Sequence, residues 1–278
     1  MVSVFKGSAN FAELLGERMQ FQTIASRKNE RVQAFCRLRD TAAERKKTGL
    51  FVLEGLRLCA DCAESGLMIE SVFCTEAAKD KGGARLETLF SAAETVFLIS
   101  DAVAEKLSDT VTTQGVFCVA KCPPRAALMV RRGERWLALD HIQNPQNLGA
   151  ASRTAEALGL TGLLVSGGCD RFNPKALRAS MGSLLRLPVL ETEDLAETLK
   201  TLGKTVPTYA AVPDETAVPL READFSGGAV LVVGNEGNGV SDAVLRAVSA
   251  RVTIPMRGRA ESLNAAAAAA ILMWEMMQ

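Results

Sequence analysis

The sequence predicts an α/β fold in two units, and three observations predict it. From residue 135 onward, short apolar runs alternate with helix-period segments, the pattern of a parallel sheet covered on both faces by helices. Ahead of residue 122 the strand-like runs "GLFVL", "IESVFCT", "TVFLIS" and "TTQGVFCVAKC" are more widely separated. Between the two regions lies "PPRAALMVRRGERW", whose paired prolines and arginines read as a linker. The expected division is an extension at 1–22, a front unit at 23–122, a linker at 123–134 and a back unit at 135–278.

A chain of 278 residues has room for two ordinary domains. With 48% hydrophobic and 23% charged residues it has the composition of a globular protein. No apolar run reaches the roughly 20 residues of a membrane-spanning helix, and the start lacks the basic-then-apolar pattern of a secretory leader. Seven cysteines, odd in number and without framework spacing, point to a reducing cytoplasm. Cys59 with Cys62 and Cys118 with Cys122 have the spacing of metal ligands. They sit in ordinary helix and strand patterns, so they read as buried small side chains and no metal is expected.

Formal net charge is zero, but its distribution is uneven. Between Arg27 and Lys47 eight basic residues face three acids, an excess that suits a phosphate backbone and equally a solvated helix face. A basic helix is expected from Ile24 to about Ala43, with Arg27, Lys28 and Arg31 as candidate RNA contacts. A strand at Leu50–Leu53, a turn at Gly55 and a helix to Ser65 follow. "DAVAEKLSDT" reads as a helix opened by an Asp cap.

The back unit runs "RWLALDHI" (strand), "NLGAASRTAEALG" (helix ended by Gly159), "GLLVSGG" (strand) and "NPKALRASMGSLL" (helix with Pro near its start). Next come a short strand at "LPVL", a helix at "DLAETLKTLG", strands at "VPTYAAV" and "GAVLVVGNE", a capped helix at "SDAVLRAVS" and a strand at "ARVTIPM". The chain ends on "ESLNAAAAAAILMWE". Alanine is the best helix former, so a smooth helix is expected over about 263–277, with Ser262 or Asn264 as its N-cap.

Ligands of parallel α/β sheets gather at the carboxyl ends of the strands, and three such ends are chemically loaded. They are "DHIQNPQNLGAASR", "LVVGNEGNGVS" and "IPMRGRAESLNAA". Singly, each has a bland reading as a cap or a turn, and the glycine spacing of the second is not the dinucleotide pattern.

Together they resemble the SpoU family of RNA 2′-O-ribose methyltransferases, within the SPOUT superfamily. Asn147, Gly149 and Arg153 match the family's first motif. Gly234, Glu236 and Gly239 match the second, and Ile254, Pro255, Met256, Gly258, Ser262, Leu263 and Asn264 the third. The alanines after Asn264 depart mildly from the valine or serine often found there. The resemblance is strong over 133–278 and extends forward through "IASRKNERVQ", "GLFVLEGLRL" and "TTQGVFCV".

It implies a back unit with a deep C-terminal trefoil knot and a small α/β front unit, like ribosomal protein L30e, that binds RNA. It implies S-adenosylmethionine as cofactor, held by backbone of Gly234, Ile254 and Leu263 and lined by Asn235, Gly239 and Met256. Arg153 is the implied catalytic residue, with Asn147, Glu236, Ser262 and Asn264 orienting it and the ribose. Arginine stays protonated, so general base and electrostatic clamp both stay open for it, and the single histidine, His141, reads as structural. A homodimer joined through the knotted unit is implied, and no membrane partner. The implied substrate is structured RNA, with 23S ribosomal RNA first. Transfer RNA, an antibiotic-resistance rRNA methylase and a non-catalytic assembly factor are the alternatives.

Overall fold

The computed structural model describes residues 21–124 and 129–278. Most of the expected extension and the middle of the expected linker lie outside the described residues. The chain divides into two compact units between Cys122 and Pro123.

The front unit has a five-stranded sheet of β1 (Gln22–Ile24), β2 (Leu50–Glu54), β3 (Ile69–Thr75), β4 (Ala93–Ile99) and β5 (Val116–Lys121), in the order β1-β4-β3-β5-β2. β4 runs parallel to β1 and β3, whereas β5 is antiparallel to β3 and β2. Its helices are α1 (Glu30–Asp40), α2 (Ala42–Thr48), α3 (Leu56–Glu64), α4 (Glu76–Lys81), α5 (Gly83–Ala92) and α6 (Asp101–Leu107). Four phenylalanines centre one core. Phe73 stacks on Phe97 with ring centroids 5.1 Å apart, and Phe35 meets Phe73 and Phe117 edge-on at 5.8 Å.

The basic segment departs from the expected single helix. Ile24 is buried in the edge strand β1, and α1 begins only after Asn29, whose Oδ1 accepts the N–H of Arg31 at 2.9 Å. The helix then breaks at Thr41. The buried Arg45 donates Nη1 to the carbonyls of Leu38 and Arg39 at the end of α1. Arg39 Nη1 donates to the carbonyls of Lys106, Leu107 and Ser108 at the end of α6. Both guanidiniums satisfy carbonyls that helix ends leave without partners, so part of the apparent phosphate footprint is internal. α4 and α5 were not expected. The cap of α6 is Ser100, whose Oγ accepts from Val103 N, not Asp101. Cys59, Cys62 and Cys118 are buried, and contact with the Cys118 thiol together with burial pushes Cys62 far above the ordinary thiol range.

The back unit has seven strands, all parallel: β6 (Arg135–Asp140), β7 (Gly162–Ser166), β8 (Val189–Glu191), β9 (Thr208–Ala211), β10 (Val218–Pro219), β11 (Ala229–Val233) and β12 (Ala250–Thr253). Their order is β10-β12-β9-β11-β6-β7-β8. The helices are α7 (Pro145–Leu158), α8 (Pro174–Ala179), α9 (Ser183–Arg186), α10 (Leu195–Leu202), α11 (Asp242–Ala247) and α12 (Ala265–Met276). Trp136, Ala138, Val230 and Val232 point to the face covered by Leu195, Leu199 and Leu202 of α10 and Val244 of α11. Strand side chains alternate between faces, and α12 packs on β6 and β11 and against α7. The expected helix at "NPKALRASMGSLL" is two pieces, broken where Met181 (φ 51°) and Gly182 (φ 89°) turn left-handed.

Starting from β6, the chain adds β7 and β8 on one side, then crosses to build β9 to β12 on the other. The order therefore reverses between β6 and β11, the position where open α/β sheets form a ligand crevice.

Candidate active site

The loops after β6 and β11 leave neighbouring strands at that reversal. Glu236, at the tip of the second loop, reaches across to the first. Its Oε2 accepts the N–H of Gln143 at 3.0 Å, and its Oε1 accepts the N–H of Asn144 at 3.1 Å and Nδ2 of Asn147 at 2.8 Å. Burial pushes the Glu236 carboxyl upward, but these donors outweigh it and hold it below the ordinary glutamate range. The third loop joins at Asn264. Its Nδ2 donates to Oδ1 of Asn147 at 3.1 Å, while its Oδ1 caps α12 by accepting from Ala266 N and Ala267 N. Asn264, Asn147 and Glu236 thus form one hydrogen-bonded chain through all three loops, and it engages both ends of the Asn147 amide.

The glycine loop is closed by two backbone bonds of 2.9 Å between Asn235 and Gly239. Asn235 holds its interior: Oδ1 accepts from Gly237 N and Asn238 N, and Nδ2 donates to the carbonyl of His141 at 2.8 Å. The side chain expected to line the cofactor therefore organises the loop. A Cβ on Gly234 would lie 2.1 Å from the carbonyl carbon of Gly239 and 2.2 Å from Val240 N, so the two backbones touch there and only glycine fits. Gly149 of the first motif has another job. A Cβ on it would meet Ala176 O and the Ala179 Cβ, both at 2.5 Å, so it lets α7 pack closely on α8.

A second tie is absent from the sequence reading. The buried Asp140 ends β6; its Oδ2 accepts Ser241 N at 2.8 Å, and its Oδ1 lies 2.8 Å from Nδ1 of His141. Ser241 opens α11 without a side-chain cap bond, and its N–H is held by this carboxylate. The signal was a lone acid closing the apolar run "LALD", since buried charges require partners. His141 has a positive φ of 56° and an exposed side chain at the crevice rim.

Residues 255–263 form the long segment between β12 and α12. Among the described residues its backbone makes no hydrogen bond, so its donors and acceptors are open to a ligand or water. Ile254 is half-buried, and Met256 and Leu263 are exposed apolar side chains on this segment. Ser262 is exposed and makes no side-chain bond among the described residues. Arg153 stands apart from the Asn147 chain. Six residues along α7 from Asn147, it lies about 120° around the helix, exposed and without an ion pair among the described residues. In the front unit Arg27 donates to Glu105 at 2.5 Å and to the carbonyl of Ala102 at 2.6 Å. Arg31 lies over the Phe97 ring at 5.0 Å, and Lys28 is exposed.

The SpoU rRNA methylase family model matches residues 134–274, a span that holds all three loops. The chain belongs to that family. Its front unit matches the MRM3-like substrate binding domain over residues 29–118. The 23S rRNA (guanosine(2553)-2′-O)-methyltransferase RlmP of Bacillus subtilis (strain 168) is 32% identical over 256 residues, which is 91% of this chain and 98% of that protein. The 23S rRNA (uridine(2479)-2′-O)-methyltransferase of Streptomyces viridochromogenes is 28% identical over 269 residues, covering 94% of this chain and 93% of that one. The AdoMet-bound rRNA methyltransferase structure from Sinorhizobium meliloti superposes with a TM-score of 0.81 at 28% identity, covering 92% and 97% of the two chains. In this SpoU chain the three stitched loops lie within the matched span, at the reversal of strand order. No helix among the described residues is long and apolar enough to cross a membrane.

Proposed function

We propose that the protein is an S-adenosylmethionine-dependent methyltransferase of the cytoplasm that modifies a ribose 2′-hydroxyl of structured RNA, with 23S ribosomal RNA as substrate. The observation that carries this reading is the Asn264–Asn147–Glu236 chain at the reversal of strand order, beside a segment of open backbone groups.

The residues fit the cofactor. Gly234 lets the glycine loop fold back on its own backbone, and open donors of 255–263 with exposed Met256 and Leu263 suit a purine and a thioether chain. Backbone of Gly234, Ile254 and Leu263 would hold the cofactor, within a C-terminal segment knotted as in the family. When bound, S-adenosylmethionine supplies an electrophilic methyl group on sulfonium. Asn147, locked from both sides, and Ser262 with its free hydroxyl would orient the ribose. Arg153 acts on the attacking hydroxyl. Its permanent charge favours the developing alkoxide as the hydroxyl proton passes to solvent, and it grips the neighbouring phosphate.

The position of Arg153 supports a homodimer. Gln146, Arg153 and Ala157 form one exposed stripe of α7, and Ala267, Ile271 and Trp274 form the matching stripe of α12. Ile271 is 41% and Trp274 58% exposed, and such apolar area on packed helices calls for cover. A two-fold contact through α7 and α12 covers it and carries Arg153 toward the partner's crevice. The front unit, with Lys28 and Arg31, contributes RNA affinity. Transfer to ribosomal RNA fragments, read by nucleoside mass spectrometry, tests the activity; binding of RNA without methyl transfer would favour an assembly factor.

A further inference from the structure

The front unit contains a cavity of about 620 Å³ that plays no part in the catalytic crevice. It opens where β2 and β3 end and β5 begins, and Leu56, Ala78, Ala104 and Val116 give it an apolar lining. The polar lining mixes acceptors and donors. Asp101 and Glu105 present carboxylate acceptors, and Lys81 and Gln114 present donors. Oε1 of Gln114 accepts the N–H of Leu56 at 3.0 Å, which fixes the amide, and its NH2 makes no bond among the described residues.

One wall is held rigid from below. Oε1 of Glu54 accepts the hydroxyls of Ser108 and Thr110 at 2.5 and 2.8 Å, and its Oε2 accepts Asp109 N at 3.0 Å. The loop so pinned carries Val111 fully exposed at its tip and continues into Thr113, Gln114 and Gly115 of the cavity wall. A loop ordered by three bonds that holds an aliphatic side chain out in water is prepared to meet an apolar surface.

Size and charge decide between ligands. The volume lies in the range of small-molecule sites. Lys81 balances Asp101, and Glu105, paired through Oε2 with Arg27, keeps Oε1 for a ligand. The lining so offers separate acceptors and donors in place of a field of one sign, which suits a flat polar ring. Single-stranded RNA is read by bases turned out of the stack and bonded along their edges. We propose that this cavity receives one unpaired nucleobase of the RNA, guanine by its edge, with Val111 packing on the neighbouring base. Asp101 and Glu105 accept from guanine N1–H and the 2-amino group, while Gln114 and Lys81 donate to its O6 and N7. The phosphates stay outside, toward Arg57, which is exposed and unpaired among the described residues, and Arg27, which Glu105 holds at the rim.

The inference rests on RNA being the substrate. Its test uses the full chain and fluorescein-labelled heptaribonucleotides of uridine whose central residue is guanosine, adenosine, uridine or abasic, read by anisotropy at low salt. The expected result is at least tenfold tighter binding of the guanosine oligomer than of the abasic one. Ala77→Trp, which fills the cavity from the exposed face of α4, should erase that ratio, and Asp101→Asn should narrow it. S-adenosylmethionine affinity, measured by calorimetry on the same samples, should stay unchanged. Equal binding of guanosine and abasic oligomers, preference for another base, or an unaltered ratio in Ala77→Trp overturns the cavity assignment and leaves the RNA reading standing. Failure of every oligomer and of ribosomal RNA to bind removes the RNA reading itself.

Discussion

Asn264 uses both ends of its amide, Oδ1 on the first turn of α12 and Nδ2 on Asn147. Asn264→Asp separates the two jobs, because a carboxylate still caps a helix but cannot donate to Asn147. The expected variant melts within a few degrees of the parent yet loses at least tenfold in methyl transfer; full activity would remove Asn147 orientation from the account. Glu236 answers to pH. Its folded pKa is depressed by donors from the first loop, so its stabilising effect is complete above the ordinary glutamate value of about 4.3. That effect is lost as pH falls through the lower folded value. Glu236→Gln should therefore lose more stability at pH 7 than at pH 3, and melting curves at the two pH values check it. Gly234→Ala forces a Cβ onto the Gly239 backbone. It should lower stability by about 1–3 kcal/mol in urea unfolding and abolish cofactor binding.

At the scale of elements, the basic segment of the front unit divides into structural and free charges. Arg39 and Arg45 serve helix ends and Arg27 is paired with Glu105, whereas Lys28 is exposed. Neutralising Lys28 and Arg31 should flatten the salt dependence of RNA binding by roughly 0.7–0.9 in log–log slope per lost phosphate contact; an unaltered slope would make this a solvated face only. The same segment shows why part of the structure was illegible in the sequence. A charge count carries no information about partners, and the carbonyls that Arg39 and Arg45 satisfy lie in helix ends brought close only by folding. The three loops were legible because residue type and spacing are local, and Asn147, Glu236 and Asn264 do meet. The packing role of Gly149 and the tie from Asp140 to Ser241 were not, since each depends on an element distant in sequence. The six alanines were legible as a smooth helix. Ala265 and Ala269 are buried, and α12 lies against α7.

At the scale of the whole molecule, the stripes of α7 and α12 lead to an assembly prediction. Trp274→Glu should convert a dimer to a monomer in light scattering at micromolar concentration and suppress activity with the fold intact. If the crevice is shared, mixing Arg153→Ala subunits with Gly234→Ala subunits should restore part of the activity that neither homodimer shows. A fully active monomer contradicts both statements. The central claim is transfer of a methyl group to a ribose hydroxyl with Arg153 as the catalytic side chain. It is tested most directly by incubating parent and Arg153→Ala proteins with methyl-labelled S-adenosylmethionine and 23S ribosomal RNA, then digesting the RNA to nucleosides for mass spectrometry. The account predicts label on a 2′-O-methylnucleoside with the parent, and its loss in Arg153→Ala while calorimetry still shows cofactor binding. Label on a base, or transfer by Arg153→Ala within about tenfold of the parent, about 1.4 kcal/mol of barrier, would contradict it.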